Sequence, residues 1–142
     1  MRGSLGTLDS IFHISYITSV EWAGDWEVEV TGDFETWWND LSEAEQKDID
    51  AKVTLLRRLG PRLGRPHADT VGGSKHPNMK ELIAQHRGRP YRVFFAFDPR
   101  RTAILLIGGE KTGDRRFYER YIPLADRFYD EYLAELGREG LI

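Results

Sequence analysis

Cysteine is absent from the sequence. That excludes a disulfide framework, a thiolate metal site and a thiol nucleophile. Long apolar runs are missing too, and none approaches the roughly 20 residues needed to cross a bilayer. The opening MRGSLGTLDSIFHISYITSV does not read as a secretory leader: His13, Ser15 and Thr18 interrupt its apolar run, and no small-x-small cleavage site follows. A soluble, cytoplasmic protein without a membrane partner is the expectation. With 40% apolar residues in 142, the chain can bury one core.

Charge of either sign is plentiful, and it is segregated. Residues 1–56 hold three Lys or Arg against twelve Asp or Glu, a balance of −9. Residues 57–120 hold fifteen against six, a balance of +9, and residues 121–142 return to −3. The overall −3 argues against a polyanion binder, whereas the middle segment alone has the basic footprint of one. Two solvated faces that merely differ in sign would give the same numbers.

Residues 1–25 read as an N-terminal extension, in which Ile11, Phe12, Ile14, Tyr16 and Ile17 suit an added strand or a surface for a partner. Residues 26–142 read as the folded domain. Trp26–Val30 alternates strictly, which predicts a strand with Trp26, Val28 and Val30 on one buried face. Asp33 suits the N-cap of a short helix carrying Phe34, Trp37, Trp38 and Leu41 at i, i+3, i+4, i+7. The tryptophans could stack on bases, but helical spacing in the acidic half favours a core stripe. Ser42-Glu43-Ala44-Glu45 is a capping box, so a second helix should start near Glu43, bury Ile49, Val53, Leu56 and Leu59, and stop at Gly60-Pro61. The acids Asp40, Glu43, Glu45, Asp48 and Asp50 suit a helix N-terminus better than a metal site.

Residues 60–79 predict a long loop carrying Arg62, Arg65 and Lys75. His67 and His76 lie nine apart without a second ligand pair, so no metal or other cofactor is expected. The stretch from Lys80 to Tyr121 then organises the chain. Lys80–Gln85 predicts a strand with Lys80, Leu82 and Ala84 on one face and Glu81, Ile83 and Gln85 on the other. Gly88 frees the turn that follows, and Tyr91–Phe97 returns with Arg92 on the side of Phe94 and Ala96. Asp98-Pro99-Arg100-Arg101 suits a type I turn. Thr102–Ile107 is a nearly continuous apolar run, as in a central strand covered on both faces. Gly108-Gly109 should release it into a basic loop, and Pro123 should open a final helix ended by Gly137. An arginine among Tyr, Val and Phe must find an anion, either a bound one or an internal Asp or Glu.

The block MKEL…RPYRVFFAFDPRRTAILLIGGEKTGDRRFYERYIPLAD resembles the RelE/HigB superfamily of toxins from type II toxin–antitoxin pairs, in its phage-derived HigB-like branch. The likeness covers about residues 26–136 and is most specific from Met79 to Asp126. It implies an α+β, RelE-like fold: a small antiparallel sheet, an N-terminal helix pair and a C-terminal helix. The implied activity is that of a ribosome-dependent mRNA endonuclease. The implied partners are a HigA-like helix-turn-helix antitoxin, the ribosome and mRNA, with DNA met only through the antitoxin. By resemblance Arg92 lies against the scissile phosphate, Lys80 is a basic position on the preceding strand, Lys111 belongs to the loop after the last strand, and Tyr118 supplies an aromatic hydroxyl. His86, Lys80 or Lys111 could serve as general base, the histidine needing no help to titrate near neutrality. Arg87, Arg89, Arg115, Arg116 and Lys75 would hold the RNA backbone, or simply solubilise turns. A ParE-like inhibitor of DNA gyrase shares the fold, and a non-catalytic antitoxin-binding module is the other rival.

Overall fold

A computed structural model describes residues 5–7 and 25–142. In chain order the elements are β1 (Leu5–Thr7), β2 (Val28–Thr31), α1 (Gly32–Asn39), α2 (Glu43–Leu59), β3 (Ala68–Thr70), β4 (Lys80–His86), β5 (Arg89–Phe97), β6 (Ala103–Glu110) and α3 (Phe117–Arg138). The apolar stretch Ile11–Ile17 lies outside the described residues. The strands form one sheet in the order β1-β2-β6-β5-β4-β3. From β6 to β3 every pairing is antiparallel, as the meander predicts; β2 joins β6 in parallel, which makes the α+β sheet mixed rather than wholly antiparallel.

Both faces of the sheet are covered. On one, Val28, Val30, Leu82, Ala84, Val93, Phe95 and Leu105 pack against Phe34, Trp38, Ile49, Val53 and Leu56 of α1 and α2. On the other, Phe94, Ala96, Ile104 and Leu106 pack against Phe117, Ala125, Phe128, Tyr132 and Leu136 of α3. This explains why β6 is apolar at successive positions, since it has no solvent face to alternate with. Trp38 is core, as its spacing predicts, and Trp37 packs beside it.

The capping box forms: the Glu45 amide donates to Ser42 Oγ (3.1 Å) and the Ser42 amide to Glu45 Oε1 (2.8 Å). Helix α2 ends at Leu59 with Gly60 as its C-cap, as expected, whereas the boundaries of the other two differ. Thr31, not Asp33, caps α1; its Oγ1 accepts from the Phe34 amide (3.0 Å) and donates to the Leu106 carbonyl (2.7 Å), tying the helix start to β6. Trp26 stands outside β2 because its amide donates to the Arg57 carbonyl at the end of α2 (2.8 Å). Helix α3 begins at Phe117 and holds Pro123 in its interior and Gly137 within its last turn. An interior proline costs about 3 kcal/mol. Burying Phe117 together with the half-buried Tyr121, stacked at 4.3 Å, offsets that cost at roughly 1.5–3 kcal/mol for each fully buried aromatic.

Gly108 and Gly109 do not end β6 but lie within it. A Cβ at Gly108 would stand 2.2 Å from Trp37 Cζ3, and one at Gly109 would stand 2.6 Å from Tyr121 Cζ. The glycines therefore let an aromatic ring lie on the strand from each side. The expected long loop has structure of its own, opening with a 3-10 turn at Gly60–Arg62. Ala68–Thr70 pairs with Lys80–Leu82 as an edge strand, and residues 74–76 are fastened to α3. Ser74 Oγ donates to Asp126 Oδ1 (2.5 Å), the Lys75 amide to Asp126 Oδ2 (3.1 Å), and His76 Nε2 lies 2.8 Å from Asp130 Oδ1.

Candidate functional site

The β4–β5 turn and the exit of β6 meet at one end of the meander. Arg87 and Gly88 make that turn with φ of 52° and 77°, the mirror-type hairpin geometry that matches strand twist. The Lys111 amide donates to the Pro90 carbonyl (2.9 Å), which holds the β6 exit beside the turn. Arg87, Arg89, Arg92, Lys111 and Arg115 are thereby gathered at one end of the sheet.

Arg92 lies opposite Ile83 on β4 and Gly109 on β6. Its side chain stands on the α3 face, only 15% exposed, and has three internal partners. Its Nη1 donates to the Tyr91 carbonyl (3.0 Å), its Nε donates to the Tyr118 hydroxyl (3.3 Å), and its Nε lies 3.5 Å from Glu81 Oε1. Tyr118 in turn donates to Glu81 Oε1 (2.8 Å). The Lys111 ammonium sits 5.0 Å from the centre of the Tyr118 ring, within cation–π range. Aromatic packing sets the Tyr118 position, with Phe94 meeting its ring edge-on at 6.2 Å and Phe117 at 5.3 Å.

Burial pushes the Glu81 carboxyl above its ordinary range, more than the Tyr118 hydrogen bond and the charges of Arg92 and Lys111 pull it down. Burial, then the bond to Glu81, likewise raises the Tyr118 hydroxyl. The result is a compact group of a guanidinium, a phenol and a carboxyl that is reluctant to ionise, with an ammonium beside it. Such a group can seat an oxoanion, stabilise charge developing on it and deliver a proton.

The structure brings Arg92, Tyr118 and Lys111 together. Lys80 and His86 stand elsewhere. Strand alternation turns both to the α1–α2 face, and His86 Nδ1 is engaged with Asp48 Oδ2 of α2 at 2.8 Å. Neither can share a phosphate with Arg92 across a packed sheet. Among the backbone-holding candidates, Arg87 and Arg115 are exposed and make no ion pair with the described residues. Arg89 lies 3.3 Å from Glu110 and 3.6 Å from Glu45, Arg116 pairs with Glu119 at 3.0 Å, and Lys75 pairs with Asp130. Glu81 is the residue that sequence reasoning left out of the site. Its signal was present, because a carboxylate two residues before the one opposite Arg92 must lie on the same face.

A second polar cluster joins Asp98, Arg100, Tyr132 and Glu29 at the far end of β5. Asp98 accepts from the amides of Arg100 (2.8 Å) and Thr102 (3.0 Å), so this cluster fastens the β5–β6 turn to α3 and β2. Among the described residues no three His, Asp or Glu converge as metal ligands, and no helix is long and apolar enough to cross a membrane.

Comparison with known proteins finds relatives of the chain. The family model described as phage derived protein Gp49-like (DUF891) matches residues 36–130, which include β3 to β6 and the start of α3. The chain is 43% identical over 101 residues to the Mycobacterium tuberculosis protein named "Putative toxin HigB3", covering 70% of this chain and 87% of that one. It is 40% identical over 119 residues to "Putative toxin HigB2" of the same organism, covering 82% of this chain and 57% of that longer protein. No solved structure matches the chain.

Proposed function

The chain belongs to the phage-derived Gp49-like family of HigB-like proteins, and on that premise we propose that it is the toxin of a toxin–antitoxin pair, acting as a ribosome-dependent mRNA endonuclease. Its partners in this reading are a helix-turn-helix antitoxin that silences it, the ribosome, and mRNA presented there. The observation that carries the reading is the Arg92 guanidinium, held on the middle strand within 3.3 Å of the Tyr118 hydroxyl, with Lys111 over the same ring.

RNA brings its own nucleophile. The 2′-oxygen bonds to the neighbouring phosphorus, its proton leaves to solvent, the bond from phosphorus to the 5′-oxygen breaks, and that oxygen takes up a proton. A protein catalyst must align these atoms, neutralise the phosphorane and protonate the leaving group. Arg92 and Lys111 supply the positive charge, and Tyr118 supplies the proton. Arg87 and Arg115, both exposed, hold backbone phosphates without reading bases. This assignment replaces Lys80 and His86 as proton-transfer groups, since both stand on the other face of the sheet.

The test is translation of a defined mRNA on ribosomes with wild type and with Arg92→Ala, mapping new 5′ ends by primer extension. Ends within codons that appear with wild type and vanish with a folded Arg92→Ala variant support the reading. No ends with either protein would sink it and turn attention to gyrase inhibition or to antitoxin binding alone.

A further inference from the structure

We propose that Glu81 is a resident counter-anion, which neutralises Arg92 in the free protein and takes up a proton when an oxoanion seats on that arginine. The inference rests on reading Arg92 as a phosphate-holding group and adds what that site does with its own carboxylate. The Glu81 side chain is 11% exposed, with Oε1 3.5 Å from Arg92 Nε and 2.8 Å from the Tyr118 hydroxyl. A phosphate or sulfate on Arg92 brings a second negative charge to this enclosed space. Two anions sharing such a site cannot both stay ionised cheaply, and the weaker acid is the one that gains a proton. Glu81 is already biased towards the neutral form by burial.

Each element around the carboxyl contributes a group. Arg92 faces it from β5, Lys111 from the β6 exit and Tyr118 from α3. Asp69 lies opposite it on β3, itself bonded to Arg65. The cations favour the ionised carboxylate, burial and Asp69 oppose it, and an incoming oxoanion cancels the cations' share. Protonation also reverses one hydrogen bond. A neutral Glu81 can donate to the Tyr118 oxygen, which frees the phenolic hydrogen to face the phosphate. That is the direction in which a leaving oxygen would need it.

Sulfate is the probe, because its charge stays constant while phosphate titrates. Binding is followed in every variant by isothermal titration calorimetry between about pH 5 and about pH 8, and at the Arg92 Nε–H resonance by NMR in those that keep the arginine. In wild type the affinity should fall by about tenfold per pH unit once Glu81 ionises. Glu81→Gln should bind without that slope and, near pH 8, more tightly than wild type by about tenfold or more. Tyr118→Phe removes a hydrogen bond but no charge and should keep the slope. A wild type that does not bind sulfate, or binds it independently of pH, would overturn the proposal. A slope surviving in Glu81→Gln would also overturn it. Arg92→Ala binding sulfate as wild type does would sink the anion seat itself. Sulfate needs no ribosome, so the result stands apart from whether the protein cuts mRNA.

Discussion

Single residues here carry two jobs each, and Glu45 shows it most clearly. Its carboxylate caps α2 through the Ser42 amide, accepts from the buried Tyr91 hydroxyl and lies 3.6 Å from Arg89. The Tyr91 bond, followed by the Ser42 amide, lowers its pKa from 4.5 to about 2. A depressed carboxyl stabilises the fold fully above its unfolded pKa and loses that contribution as pH falls through the folded one. Glu45→Gln should therefore cost about 2 kcal/mol at neutral pH, the scale of hydrogen bonds to a charged group. The gap to wild type should narrow below pH 4.5 and close near pH 2, as measured by urea denaturation at several pH values. A gap that ignores pH would show the cost to be lost packing instead. Arg92 was conspicuous in the sequence because a lone guanidinium among aromatics demands an anion. Glu81 was not, since one acid following Lys80 reads as ordinary surface charge until its cross-strand neighbour is known.

Elements were legible where a local period or cap defines them. The capping box, the hydrophobic stripe of α2 and the three long strands of the meander all follow from spacing within a few residues. Elements that depend on distant partners were not. Ala68–Thr70 is a strand only because β4 lies beside it, and Pro123 sits inside α3 because Phe117 and Tyr121 find the sheet before it. Gly108 and Gly109 looked like a stop signal, whereas each accommodates a ring from a different helix. That pairing separates stability from site geometry. Gly108→Ala and Gly109→Ala should each lower stability by about 1–3 kcal/mol through overpacking, read as a fall in melting temperature. Gly109→Ala alone moves Tyr121, which stacks on Phe117 beside Tyr118, so it should also reduce mRNA cleavage per folded molecule. Equal loss of cleavage in both variants would argue against a site on the α3 face.

Across the described residues, the acids Asp33, Glu35, Asp40, Glu43, Glu45, Asp48 and Asp50 belong to the α1–α2 layer on one face, while exposed arginines gather at the turn end of the meander. A net charge of −3 hides this arrangement. On the proposed function, RNA approaching the turn end would meet a positive field, and release of its counterions would make binding depend on salt. The logarithm of affinity for single-stranded RNA should fall linearly with the logarithm of salt concentration, and Arg87→Ala or Arg115→Ala should each reduce the slope by about 0.7. Filter binding across a salt series checks this, and unchanged slopes would remove both residues from the backbone-holding set.

The parallel pairing of β2 with β6 has a temporal consequence. Thr31 and Leu106, joined by a hydrogen bond, are 75 residues apart in the chain. Such non-local contacts slow folding, because loop closure must precede the reward of pairing. During synthesis the hairpin bearing Glu81 and Arg92 can form early, but β2 waits for β6, and Tyr118 emerges after both. The nascent chain thus holds its guanidinium and carboxylate long before it holds the phenol, and a complete site dates only from the docking of α3.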